Sequence, residues 1–187
     1  CAGEVDGEVV DLRTVLDKDC ELNILTARDE KGLAVLRHTA SHVMAEAVQT
    51  LFPEAKVAIG PSIDTGFYYD FECQSFSRDD LDAIEKEMKK IIKKGAKIER
   101  FTKSREDAIA FFKEKNEPYK VELIEDLPEG EEISFYSQGD FVDLCAGPHL
   151  MSTKGVKAFK LISSSGAYWR GDEKNKMLSR IYGTAFK

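Results

Sequence analysis

No apolar run in this 187-residue chain approaches the ~18 residues that a membrane-crossing helix needs, so no membrane span is expected. The amino terminus, Cys1-Ala2-Gly3-Glu4-Val5-Asp6, lacks a Met, a basic stretch and an apolar stretch. It does not read as a signal peptide, and the chain reads as a piece of something longer. Cysteine is scarce and scattered, at Cys1, Cys20, Cys73 and Cys145. That spacing is no disulfide framework and points to a cytoplasmic setting. An excess of basic residues is missing too: the net charge is −7. A free-standing, high-affinity nucleic-acid binder is more often basic, so any RNA contact is local or shared with other domains. Repeats and low-complexity tracts are absent. At this length roughly 70% of the unfolded surface can be buried, so the fold needs no covalent staples.

Histidine is also rare, and its placement is informative. All 3 histidines lie in two pentads, His38-Thr39-Ala40-Ser41-His42 and Cys145-Ala146-Gly147-Pro148-His149. Around the first, Leu33, Leu36, Ala40, Val43, Met44, Ala47 and Leu51 recur at helical spacing, and Pro53 stops the pattern. The spacing predicts a helix over 33–51. His38 and His42, one turn apart, fall roughly 150–170° from the apolar stripe. That phase disfavours a core histidine and leaves two readings, an exposed surface pair or a cleft pair. Gly147-Pro148 disfavours a helix across the second pentad, so it is a strand-to-loop turn after the strand Phe141–Leu144.

Residues 1–27 read as strand–turn–strand, marginal in isolation. They are a remnant of a small β-rich domain or are docked on the remainder of the chain, with the charged turn Arg28–Gly32 as boundary. Gly66-Phe67-Tyr68-Tyr69-Asp70-Phe71 is strand-like. Tyr68 and Tyr69 point to opposite faces, so at most one lines a cleft, and sheet core is the plainer role for these aromatics. Residues 79–94 form a helix with a capping-box start at Ser77-Arg78-Asp79-Asp80 and a stop at Gly95. Its trailing lysines suit a solvated helix end better than a phosphate site. Further strands are expected at Ile98–Phe101, Ile133–Tyr136 and Val156–Ser163. Short helices are expected from Arg105, from Tyr119 (helix or strand), and from Lys174 to Tyr182.

The helical pair plus a loop Cys and His is a feasible four-ligand set for zinc, closed if all four bind and open to water if one is held back. The same residues also make a metal-free polar pocket. There a His serves as general base, Cys145 is a wall or nucleophile, and Asp143 and Lys120 orient an amine or a water.

The segments HTASHVMAEAV, IGPSIDTGFYYDF, FVDLCAGPH, AYWRGDEKNKML and RIYGTAF together resemble the editing region of bacterial-type threonyl-tRNA synthetases over about residues 33–187. The paired pentads are shared with the alanyl-tRNA synthetase editing domain. Residues 1–27 resemble the last part of the small ubiquitin-like (TGS-type) domain that precedes it, which sets the division at 1–27 and 28–187. The resemblance implies an α+β fold, an antiparallel sheet with packed helices, that hydrolyses Ser-tRNA(Thr). It places His38, His42, Cys145 and His149 in the pocket, with Lys120 and Asp143, and Tyr68 or Tyr69 and Tyr136 near the substrate. His38, Lys120, Asp143 and His149 are the implied catalytic groups; His42, Cys145 and the tyrosines contact substrate. No metal is required, although zinc is held by the four pentad residues in the alanyl relatives. The implied partners are the 3′ end of tRNA(Thr) carrying serine and the synthetase's catalytic and anticodon-binding domains; without those domains, tRNA affinity is weak and ligation absent. Two alternatives stand beside this: a zinc-dependent deacylase of the alanyl type, and a non-catalytic docking domain for the acceptor arm. One departure is Ala146, where many bacterial members carry Arg; if that Arg touches RNA, affinity here is lower.

Overall fold

The structure is a computed structural model, described for residues 1–186. Strands β1 (Ala2–Val5), β2 (Glu8–Val10) and β3 (Leu22–Leu25) come first, followed by helix α1 (Glu30–Leu51). Then come β4 (Lys56–Val57), β5 (Ser62–Ile63), β6 (Gly66–Glu72), α2 (Arg78–Lys94) and β7 (Ile98–Thr102). Helices α3 (Arg105–Glu114) and α4 (Pro118–Glu125), then β8 (Ser134–Gln138), β9 (Phe141–Leu144), β10 (Ala158–Tyr168) and β11 (Met177–Phe186), complete the chain. The strands form three antiparallel sheets: β2-β1-β3; β10-β11-β6-β4 with β5 added on β6; and β7-β8-β9. This is an α+β fold of antiparallel sheets with packed helices. No helix among the described residues is long and apolar enough to cross a membrane.

Helix α1 is the axis. It packs against α2, β5, β6 and β11, and its middle turns are buried on every side. Ala40, Ser41, Ala45 and Ala47 are small enough to let neighbours approach closely. Of the two readings of the histidine pair, the exposed one falls: His42 is 4% exposed and His38 half-buried, because the pole of α1 opposite its apolar stripe is covered by a second layer. Leu51, the last residue of the stripe, is exposed at the helix end.

The capping box of α2 is present, with Asp80 N–H donating to Ser77 Oγ (3.1 Å) and Ser77 N–H to Asp80 Oδ2 (2.9 Å). Tyr119–Ile124 lies inside the helix α4. The expected helix Lys174–Tyr182 is wrong: Met177–Phe186 is strand β11, between β10 and β6. Leu178, Ile181 and Tyr182 imitate helical spacing. The burial of Ile181, Gly183 and Ala185 follows the period of two that a central strand needs. Likewise the first strand of the expected strand–turn–strand over residues 1–27 is two strands, Ala2–Val5 and Glu8–Val10. Asp6 (φ 49°) and Gly7 (φ 86°) turn it into the β1–β2 hairpin, with the two positive φ values of a tight primed turn.

Residues 1–27 are docked on the rest. Ala2 and Leu25 are part of the main core with α1. Arg13 Nη2 donates to the carbonyls of Ile98 and Leu150, the latter at 2.9 Å. The turn Arg28–Gly32 runs straight into α1, and Asp29 accepts from Thr26 N–H at 2.6 Å.

Candidate active site

The two pentads meet. Strand β9 delivers Asp143 and then Cys145, and the next loop folds His149 back onto α1. His149 stacks on His38 with ring centroids 4.2 Å apart and lies 4.2 Å from the His42 ring. Cys145 Sγ is 3.4 Å from His38 Nε2 and 3.2 Å from His149 Nε2, and it accepts from Gly147 N–H at 3.2 Å. Thr39, inside the first pentad, fixes the second. Its Oγ1 accepts from Leu150 N–H (3.0 Å) and lies 3.0 Å from His149 Nδ1. Ser41 Oγ donates towards the carbonyls of His38 (2.7 Å) and Gly60 (2.8 Å), which ties the β4–β5 loop to α1.

Beside this cluster is a buried ion pair. Lys120 Nζ, from α4, lies 2.6 Å from Asp143 Oδ1, with the two side chains 3% and 1% exposed. Pro118 at the first turn of α4 starts the helix that projects Lys120 inward. Tyr69 of β6 donates its hydroxyl to Asp143 Oδ2 at 2.7 Å. Asp143 Oδ1 has close charge but no aligned hydrogen-bond donor. Gly60 is required here, because a Cβ on it would lie 2.0 Å from the Tyr69 ring. His38, His42, Lys120, Asp143 and Cys145 line a pocket of about 290 Å³, walled by Ile59–Pro61, Leu123 and the Ala146–Gly147 backbone. Larger hollows exist, such as those of about 740 and 540 Å³, but neither of these holds a His or a Cys. The first mixes Glu46, Glu87, Lys90, Lys93 and Lys94 with apolar and amide side chains.

Burial governs the titration. It drives His42 down to about 3 and holds His38 and His149 below the ordinary histidine value of 6.5. Burial also pushes the Cys145 thiol up to about 12. Burial opposes the Asp143 carboxylate, but Lys120 and the Tyr69 hydroxyl outweigh it and hold Asp143 low. His42 Nε2, 3.4 Å from Asp143 Oδ2, is uncharged, so that contact is no ion pair. The pocket thus presents two neutral imidazoles, a neutral thiol and one paired charge, while His149, 1% exposed, sits behind the wall that Cys145 makes.

In chelator-treated protein none of the three histidine C2–H resonances is expected to titrate with a midpoint near 6.5. A proton NMR titration from about pH 8 to about pH 5 checks this, and a midpoint near the ordinary value for any of them contradicts it. The unfolded chain takes these protons at about 6.5 and the folded chain does not, so these histidines make stability fall as pH drops below that value.

One Cys and three His are the right donors for zinc. Their ligand atoms all lie within 4.8 Å of one another, against about 3.3–3.8 Å between ligands around tetrahedral zinc. A modest contraction closes the set. Thr39 Oγ1 serves either state of His149, donating to a bare Nδ1 or accepting from Nδ1–H while Nε2 turns to a metal. The donor set fits. His38, His42, Cys145 and His149 would hold the ion, which supplies Lewis acidity and an acidified water when one position stays open.

Of the remaining expected residues, Tyr69 is fully buried behind Asp143, and the Tyr136 ring packs on the His149 ring with centroids 4.6 Å apart. Tyr68 is not part of the pocket. Strand alternation sends it to the opposite face of β6, where Arg180 stacks on it at 3.9 Å and Tyr182 lies 5.9 Å away. Thr39, Ser41, Gly60 and Pro61 also shape the site; sequence reasoning missed them, although they sit within or beside the motifs quoted above. Asp11 and Arg13, which reach this region from residues 1–27, carry no signal in the sequence.

Residues 133–182, which span β8 to most of β11, match the family described as the threonyl and alanyl tRNA synthetase second additional domain. This segment belongs to that domain family. The chain is also similar to threonine–tRNA ligases: 67% identical over 186 residues to one from Acetivibrio thermocellus, and 66% to one from Clostridium botulinum (strain Kyoto). It is 63% identical over 184 residues to one from Clostridium novyi. These matches cover 98–99% of this chain but 29% of each ligase, so the chain spans less than a third of the relatives' length. The domain match takes in Lys120's partner Asp143 and the whole second pentad, whereas α1 and α4 lie outside it and are covered by the ligase matches alone.

Proposed function

We propose that this chain is the editing unit of a threonyl-tRNA synthetase, a deacylase for mischarged Ser-tRNA(Thr). The observation that carries the reading is the pocket itself: neutral His38 and the Lys120–Asp143 pair face one small cavity walled by Cys145 and backbone. Similarity to threonine–tRNA ligases supports the choice of tRNA(Thr). A missing methyl is worth only about 1–3 kcal/mol of discrimination, so a synthetic site needs a second, smaller sieve for serine. The 3′ end is single-stranded and enters a pocket without base-pair opening.

In this reading water attacks the seryl ester carbonyl. His38 accepts a proton from that water, the acyl C–O bond breaks, and the proton passes to the departing ribose oxygen. Lys120 positions the water, and the Asp143 carboxylate beside it attracts the seryl ammonium, while His149 orders Cys145 from behind. His42 and Cys145 define the space, Tyr69 supports Asp143 from behind, and the neutral thiol acts as a wall rather than a nucleophile. Ser-tRNA(Thr) hydrolysis by the purified chain tests the proposal.

One observation favours a second reading, a zinc-dependent deacylase: the four pentad ligand atoms already lie within 4.8 Å of one another. Metal analysis of protein purified without chelator separates the two. Near-stoichiometric zinc, with hydrolysis lost on chelation, selects the second.

A further inference from the structure

The three-stranded N-terminal sheet does more than rest on the core. After β2 the chain sends Asp11 and Arg13 into the back of the pocket. Asp11 is 8% exposed. Its Oδ2 accepts from the Tyr136 hydroxyl at 2.8 Å and from His149 N–H at 3.3 Å. Its Oδ1 accepts from Arg13 N–H at 2.9 Å and from Arg13 Nη1 at 2.6 Å. The Arg13 guanidinium then donates to the carbonyls of Ile98, His149 (3.3 Å) and Leu150 (2.9 Å). Asp11 and Arg13 therefore grip the backbone of His149 on both its N–H and its carbonyl.

The Tyr136 hydroxyl completes the clamp. It lies against Gly147, where a Cβ would come within 2.1 Å of it and where φ is +76°. The Tyr136 ring packs edge-on against the His149 imidazole, centroids 4.6 Å apart. Asp11 thus fixes the hydroxyl that shapes the Cys145–His149 loop from behind, while Thr39 holds the His149 ring from α1. Burial alone would raise the Asp11 carboxyl, but the donors of Arg13, Tyr136 and His149 outweigh it and keep it ionised and accepting.

We infer that Asp11 is a positioning residue for the deacylation pocket, so that residues 1–27 are part of its scaffold. This rests on the hydrolytic reading of that pocket. Asp11 touches no substrate; it acts through His149 and Tyr136. Asp11→Ala is expected to lower kcat for Ser-tRNA(Thr) on the order of tenfold to a hundredfold, as a displacement near 1 Å does, with KM unchanged. Asp11→Asn keeps shape and one acceptor and is expected to fall between Asp11→Ala and the parent. Thr153→Ala serves as the stability control: it removes another buried hydrogen bond, to the Ile91 carbonyl, away from the pocket. It is expected to hydrolyse as the parent does.

The chain has only 3 histidines, so a long-range ¹H–¹⁵N ring spectrum resolves each of them. The His149 ring signals are expected to move in Asp11→Ala and Asp11→Asn, and not in Thr153→Ala. Ring signals of His149 that coincide with the parent's in both Asp11 variants overturn the inference. So does an equal loss of kcat in Thr153→Ala. If the parent itself fails to hydrolyse Ser-tRNA(Thr), the functional reading falls, and the ring spectrum alone decides the positioning role.

Discussion

Lys120→Met is expected to cost both stability and activity. Lys120 and Asp143 are 3% and 1% exposed and 2.6 Å apart, so removal of the ammonium strands a carboxylate in the interior. Breaking a buried pair from one side costs about 3–5 kcal/mol. Tyr69 is then the one strong donor left to Asp143, and it already serves Oδ2. Adding Asp143→Leu to Lys120→Met replaces the pair by apolar groups of similar size and is expected to recover most of that loss, since such replacements are often neutral. Hydrolysis is not expected to return, because neither the water nor the seryl ammonium regains its partner. Denaturant unfolding of the single and double variants, beside their deacylation rates, reads both effects. A single variant as stable and active as the parent would strip the pair of both roles.

His38→Ala separates chemistry from stability. The side chain is half-buried, faces the pocket and is uncharged at neutral pH. Its removal leaves no isolated charge, so the loss of stability is expected to stay well below that of Lys120→Met. Loss of the general base is expected to lower kcat by about 10²–10⁴-fold. Single-turnover hydrolysis of Ser-tRNA(Thr) measures this directly. A rate equal to the parent's assigns proton transfer elsewhere in the pocket.

The contrast between these variants reflects what is legible in the sequence. The helix phase sets His38 and His42 apart from the apolar stripe of α1, and Gly147-Pro148 makes the second pentad a loop. Both follow from local chemistry. What covers that side of α1 does not. Asp143 and Lys120 arrive on β9 and α4, far along the chain from α1, and only the fold joins them. The same holds for Asp11, which has no motif of its own and matters because β2 ends behind Tyr136. Strand alternation alone separates Tyr68 from Tyr69. Which of them faces inward depends on the register of β6 with β11, where Tyr68 pairs with Tyr182. Strand β11 mimics a helix because Leu178, Ile181 and Tyr182 satisfy a helical period, while two flanking strands reward the period of two.

The most direct measurement of the central claim is the hydrolysis of Ser-tRNA(Thr) and Thr-tRNA(Thr) by this chain, each with and without chelator. The seryl ester is expected to be cleaved and the threonyl ester left intact, with chelator changing neither rate. A chain that leaves Ser-tRNA(Thr) intact, or that cleaves both esters at the same rate, contradicts the claim.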